Sequence, residues 1–255
     1  MMDGMIRMAW FHMRNLWSTS FFLETAIASP LSFALLRLIA ARWAAAPSLW
    51  LDAAVCGLWS TTTLAVGLIG FQRYQGVLKY LTVSPLPLWR VFAPLVAAAT
   101  LIGVIGLPIS FAVIVVAGLL SGHDPVPFAG QSIGLQLIGY LLAVVACCAS
   151  AMLLSSIFVL SRSAIAFEPL VLIPVWMLCG IVMPIGLFPP FLRVVALLHP
   201  LTWAVWIGQQ RSFGPLSAWA AAGCLALCGA YLAAAGKGLH VALRRACVEG
   251  TLDLS

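Results

Sequence analysis

Val91-Phe-Ala-Pro-Leu-Val-Ala-Ala-Ala-Thr-Leu-Ile-Gly-Val-Ile-Gly-Leu-Pro-Ile-Ser-Phe-Ala-Val-Ile-Val-Val-Ala-Gly-Leu-Leu120 is a run of thirty residues without one Asp, Glu, Lys, Arg or His. A helix needs ~20 mainly apolar residues to cross ~30 Å of hydrocarbon. The run therefore reads as a membrane span, longer than a bilayer requires and carrying Pro94 and Pro108. The rest of the 255-residue chain agrees, being 63% hydrophobic and 8% charged. A soluble domain carries roughly 25% charged residues. With so few charges the chain cannot cover a surface for water, and a soluble enzyme is excluded.

Outward from this run, similar apolar stretches lie at about Phe21 to Ala41, Trp50 to Gly70, Ile133 to Leu160, Phe167 to Ile185 and Leu216 to Leu239. The sequence predicts an all-α membrane protein with six transmembrane helices in one domain, residues 1–255. Residues 1–20 have no compact apolar core followed by a cleavage site, so they read as an interfacial helix and not as a signal peptide. Ile6, Trp10, Met13 and Trp17 form one stripe on a helical wheel, with Arg7, Arg14 and Ser18 on the other side, although Met8 and Phe11 blur it.

Lys and Arg give the orientation. With the N-terminus inside, the cytoplasmic side carries Arg7, Arg14, Arg73, Lys79, Arg90, Arg162, Lys237, Arg244 and Arg245. The outside carries Arg42, Arg193 and Arg211, with Arg37 near the outer end of the first span. This bias predicts that both termini are cytoplasmic. The net charge of +6 thus marks topology and not a nucleic-acid partner.

Catalytic and metal-binding signals are missing. Six of the seven cysteines, Cys56, Cys147, Cys148, Cys179, Cys224 and Cys228, lie in apolar runs without a CxxC pair, as small buried hydrophobes do. His12, His123, His199 and His240 are scattered and form no ligand set. No GxxxxGK[ST] loop is present to cradle nucleotide phosphates. Glu24 and Glu168, near the cytoplasmic ends of spans one and five, are candidate polar transport residues, because an ionisable group at a span carries function by default.

Between spans two and three lies Phe71-Gln-Arg-Tyr-Gln-Gly-Val-Leu-Lys-Tyr-Leu-Thr-Val-Ser-Pro-Leu-Pro87. Tyr74, Val77, Leu78 and Leu81 share one helical face, while Gln72, Gln75, Lys79 and Thr82 take the other. Ser84-Pro85 stops the helix. The pattern fits a short helix that docks on a partner, and it equally fits a connector lying on the membrane. The stretch Gly186 to Phe213 reads as irregular and external, flanked or filled by Pro184, Pro189, Pro190 and Pro200.

The 71–87 segment resembles the cytoplasmic loop of ABC-2 type permeases, the membrane subunits of a large class of ABC exporters. Members commonly read Glu-Arg-x-x-Gly-Thr-Leu-Glu, then a short apolar run and Ser/Thr-Pro-Leu. Arg73, Gly76, Leu78, Ser84, Pro85 and Leu86 match, while Gln72, Val77 and Lys79 stand where the family often has Glu, Thr and Glu. The run Leu178-Cys-Gly-Ile-Val-Met-Pro184, Leu187-Phe-Pro-Pro-Phe-Leu192 and His199-Pro-Leu-Thr-Trp203 is similar to the family's Ser-Gly-x-x-x-Pro, Leu-Pro-x-Trp-Leu and Asn-Pro-Leu. Gly180, Pro184, Pro190, Pro200 and Leu201 match, with Phe191 for Trp and His199 for Asn.

The resemblance implies a permease subunit of an ATP-driven exporter in a bacterial inner membrane, and an apolar pathway lined by Leu, Val and Phe would suit a hydrophobic or amphipathic cargo (drug, lipid or peptide). It implies two permease chains, identical or homologous, docked on two copies of a soluble ABC ATPase subunit. ATP and Mg would bind that partner, with no cofactor on this chain. The helix Tyr74 to Leu81, with Arg73, Gly76, Val77, Leu78, Lys79 and Pro85 around it, would pass the ATPase motion to the spans. Spans two and five would line the pathway, and residues 186–213 would form re-entrant helices. Two other classes compete: an ion-coupled secondary transporter, for which no repeat is visible, and an intramembrane enzyme, which needs facing polar catalytic groups.

Overall fold

A computed structural model of the protein describes residues 2–41, 48–74, 87–120, 132–159, 170 and 173–248. Their regular structure is helical: α1 (Met2–Trp17), α2 (Ser20–Ala40), α3 (Leu49–Tyr74), α4 (Leu88–Gly103), α5 (Gly106–Leu120), α6 (Ile133–Phe158), α7 (Pro190–Leu198), α8 (Pro200–Gly208) and α9 (Pro215–Val248). The stretches 20–40, 49–69, 89–120, 133–158 and 215–241 are each long and apolar enough to cross a membrane. The α7–α8 pair adds a further crossing if its arms, bent by 96°, count as one span. The protein is an all-α, multi-pass membrane protein. Of the expected fifth span, 173–178 is helical and most of 160–172 lies outside the described residues.

The bundle has two ends. At one, α1 lies against α4, and α2 and α4 begin while α3 and α6 finish. At the other, the α8 arm of the α7–α8 hairpin packs on α6 and α9. Helix α3 is almost wholly enclosed by α2, α4, α5 and α6.

Buried apolar residues gather in two clusters. One lies at the hairpin end around Leu38, Leu51, Trp59, Ile114, Ala146 and Leu201. The other lies at the α1 end around Leu16, Ile69, Phe92, Ile102, Met152 and Leu239. Between them α3 carries four consecutive buried hydroxyls, and each returns its proton to its own helix. Ser60, Thr61, Thr62 and Thr63 donate to the carbonyls of Cys56, Gly57, Leu58 and Trp59 at 2.7–3.1 Å. Polar side chains can thus cross the apolar layer without partners on other helices.

The thirty-residue apolar run crosses as one span, as the sequence predicts, but is built of two helices, α4 and α5. Pro108 has no N–H to give the Val104 carbonyl. Leu107 N serves that carbonyl instead at 3.0 Å, and Ile105 N tightens onto Ile102 O at 3.1 Å. The chain restarts at Gly106, so Pro108 falls in the first turn of α5, where a missing donor is harmless.

Close packing rests on small residues, as expected where lipid removes the hydrophobic drive between helices. A Cβ on Gly57 would meet the Pro30 ring at 2.7 Å, and one on Gly106 would meet it at 3.3 Å. Pro30 of α2 is therefore seated against glycines of both α3 and α5. A Cβ on Gly139 of α6 would lie 2.7 Å from Gly208 N and 2.8 Å from Ala204 O of α8.

Helix α1 has two apolar faces. Met8, Met13 and Leu16 pack toward α4, while Ile6, Trp10 and Trp17 point away from the protein. Met8, which blurs the sequence stripe, belongs to the inner face. Helix α9 continues to Val248, past the sequence estimate of Leu239.

Candidate functional site

The segment expected to be irregular is regular through much of its length. A 3₁₀ turn at Ile185–Leu187 follows Pro184, and then come α7 and α8, which open with Pro190 and Pro200. Proline suits a first helical position, where the N–H has no intrahelical partner anyway.

The break between α7 and α8 leaves the last carbonyls of α7 without intrahelical donors. Side chains cover them. Thr202 Oγ1 donates to Ala196 O, Trp203 Nε1 to Leu197 O at 2.8 Å and Tyr231 Oη to Leu198 O at 3.1 Å. His199 occupies the corner. Its Nδ1 accepts from Leu201 N at 3.3 Å and so caps α8, and the Cys179 thiol lies 3.5 Å from the same nitrogen. The ring stands edge-on to Trp59 and Tyr231, with centroids 5.7 and 6.0 Å away.

Before the hairpin the chain turns at Gly180, whose φ of +81° is costly for any residue with a Cβ. Arg193 Nη2 reaches back from α7 to Gly186 O at 3.0 Å and Phe188 O at 3.3 Å, fixing the 3₁₀ turn. Of the sequence-predicted group, Pro190, His199 and Pro200 lie in the α7–α8 hairpin, while Gly180, Pro184 and Pro189 lie in the turn that leads into it.

Beside it lies a polar clasp that the sequence reading misses. Asp52 is fully buried in α3, and its Oδ2 receives Arg37 Nη2 of α2 at 2.6 Å. Gln209 Nε2, at the end of α8, donates to Asp52 Oδ1 at 3.1 Å and contacts Gly180 O at 3.3 Å. Arg37 Nη1 contacts Val182 O at 3.4 Å. One carboxylate therefore joins two spans, the Gly180 turn and the hairpin. The signal was present in the sequence as an acid and a base inside two apolar runs, since buried membrane charges are expected to pair.

At the opposite end, Arg73 and Tyr74 are the last residues of α3, where the sequence predicts the start of a separate helix. Gly76, Val77, Leu78, Lys79, Leu81 and Pro85 lie outside the described residues, as does Glu168. Glu24 is exposed in the first turns of α2, away from the clasp. Among the described residues no three His, Cys, Asp or Glu side chains converge as a metal set.

A search of the curated proteins finds no match. The family model for the ABC-2 type transporter matches residues 7–208, from α1 to the last residue of α8. That is well over half of the chain and takes in both segments that carry the resemblance. The chain belongs to the ABC-2 type transporter family and is the transmembrane permease of an ABC transporter, not itself catalytic.

Proposed function

We propose that this permease exports a hydrophobic or amphipathic cargo outward across the inner membrane, as a pair of permease chains docked on two ATPase subunits. The family implies the partner ATPase, through which ATP and Mg act. The direction, the cargo class, the copy numbers and the cytoplasmic termini are our reading. Residues 71–87 carry the ATPase contact, and the α7–α8 hairpin closes the outer end.

The observation that supports this reading is the course of α3. Its 26 residues span about 39 Å as one helix. Its first turn bears Asp52, locked to Arg37 and Gln209, and its last turn bears Arg73 and Tyr74 at the entry to the coupling segment. A displacement at one end is carried to the other by a continuous rod, which then strains or frees the clasp. Nucleotide shifts this equilibrium by binding one ATPase arrangement better than the other.

The test is reconstitution of the permease with its ATPase in proteoliposomes. ATP is supplied on the cytoplasmic side, and a lipophilic dye, a fluorescent phospholipid and an apolar peptide are offered in turn. Movement of at least one away from the ATP side is expected, from a complex whose native mass contains two chains of each kind. ATP-driven movement toward the ATP side, or a single permease chain per complex, overturns the proposal.

A further inference from the structure

Outside the clasp, a cavity of about 610 Å³ without an assigned role lies between the hairpin and the start of α9. Its size lies within the ~300–1,000 Å³ of small-molecule sites. Trp203, Trp206 and Trp219 supply indole walls, Arg193, Thr202, Gln209 and Gln210 supply polar groups, and no acidic residue among those described lines it. We infer that this cavity holds an anionic phospholipid, its acidic head at Arg193 and its acyl chains leaving over Leu216 and Trp219.

Three observations carry the inference. Leu216 and Trp219, at the lip, are 71% and 73% exposed, so the cavity opens sideways where the helices face lipid. Indoles are favoured where apolar chains meet head groups. The Arg193 guanidinium has no carboxylate partner among the described residues, where the one ion pair is Arg37–Asp52. Its Nη2 is held by two main-chain carbonyls, which fixes its place at the cavity. A guanidinium has five N–H donors, more than those carbonyls use, and its planar fork suits a phosphate. An apolar site with a fixed cation and no acid selects an amphiphile of net negative charge. The inference is independent of the direction of export.

The test uses native mass spectrometry of the purified complex in detergent, titrated with phosphatidylglycerol or phosphatidylcholine. Wild type is expected to retain one phosphatidylglycerol per permease chain at least ~10-fold more tightly than phosphatidylcholine, the scale of one hydrogen bond to a charged group. Arg193→Gln should abolish that preference. Because Arg193 also braces the 3₁₀ turn, Gln210→Glu provides a second probe that leaves those bonds in place. It should weaken phosphatidylglycerol by ~10-fold or more through like-charge repulsion. Trp219→Ala should weaken both lipids. Equal retention of the two lipids by wild type overturns the inference, as does a phosphatidylglycerol preference unchanged in both Arg193→Gln and Gln210→Glu. Displacement of the lipid by inorganic phosphate alone would mark a free-anion site and overturn the lipid assignment.

Discussion

The Arg37 guanidinium lies 2.6 Å from the Asp52 carboxylate, and the two members of this pair are unequally buried. The Arg37 side chain is 28% exposed and that of Asp52 is 0% exposed. The asymmetry has an energetic consequence. If Asp52 is removed, the long Arg37 side chain can extend toward the interface and recover water. If Arg37 is removed, Asp52 has no route out.

Arg37→Ala should therefore destabilise the fold more than Asp52→Ala does. Breaking a buried pair from its exposed side costs about 3–5 kcal/mol, and the double variant should recover part of that loss. Unfolding midpoints in detergent, measured for the three variants, check the order. Equal losses from the two single variants would show that the pair is screened by water.

Helices α6 and α8 approach so closely that a single methyl group should matter. Gly139→Ala places a Cβ against the backbone of Gly208 and Ala204, at 2.7 and 2.8 Å, and backbone cannot rotate aside. We expect a loss of about 1–3 kcal/mol, the range for overpacking. Gly229→Ala meets nothing within 4 Å and should be neutral or slightly stabilising from helix propensity. A thermal melt of both variants decides this, and indifference at Gly139 would mean that the crossing is looser than its geometry.

On the coupling reading, Leu78→Asp should release the ATPase. Loss of one good interface anchor costs roughly 2 kcal/mol, or about 30-fold in affinity. Gly76→Trp should act in the same way by blocking close approach. Recovery of the ATPase on the tagged permease is measured after membrane insertion has been verified. Near-normal recovery and export from inserted Leu78→Asp would assign this face to head groups.

Topology is open to direct labelling. Cysteines introduced at Ser163 and Lys237 in a cysteine-free background should resist an impermeant maleimide in intact cells, while those at Gly122 and Arg211 should react. Reaction at the Ser163 position would reverse the assigned orientation.

Features carried by one continuous stretch of chain are legible in the sequence. The charge-free run from Val91 to Leu120 and the prolines of the hairpin show themselves within a few helical turns, as does the stripe Ile6-Trp10-Met13-Trp17, except that Met13 turns to the inner face. The break at Val104 was implicit in Pro108, but only hydrogen-bond bookkeeping along the helix locates it. The clasp is different in kind. Asp52 meets Arg37 from 15 residues away and Gln209 from 157 residues away. No local pattern links those positions, and Arg37 alone resembles a topology signal at a span end. Glu24, a charge legible in the first span, is exposed in the first turns of α2.

Pro30 against Gly57 and Gly106 has a mechanical meaning. A ring with no rotatable side chain bears on two helix surfaces stripped of side chains, so nothing interlocks there. Proline also leaves the Ala26 carbonyl without its usual donor, which softens α2 at the same level. The contact is a ball in a smooth socket. It sets the distance at which α2 runs past α3 and α5, so a residue larger than glycine at either position would push the first span outward.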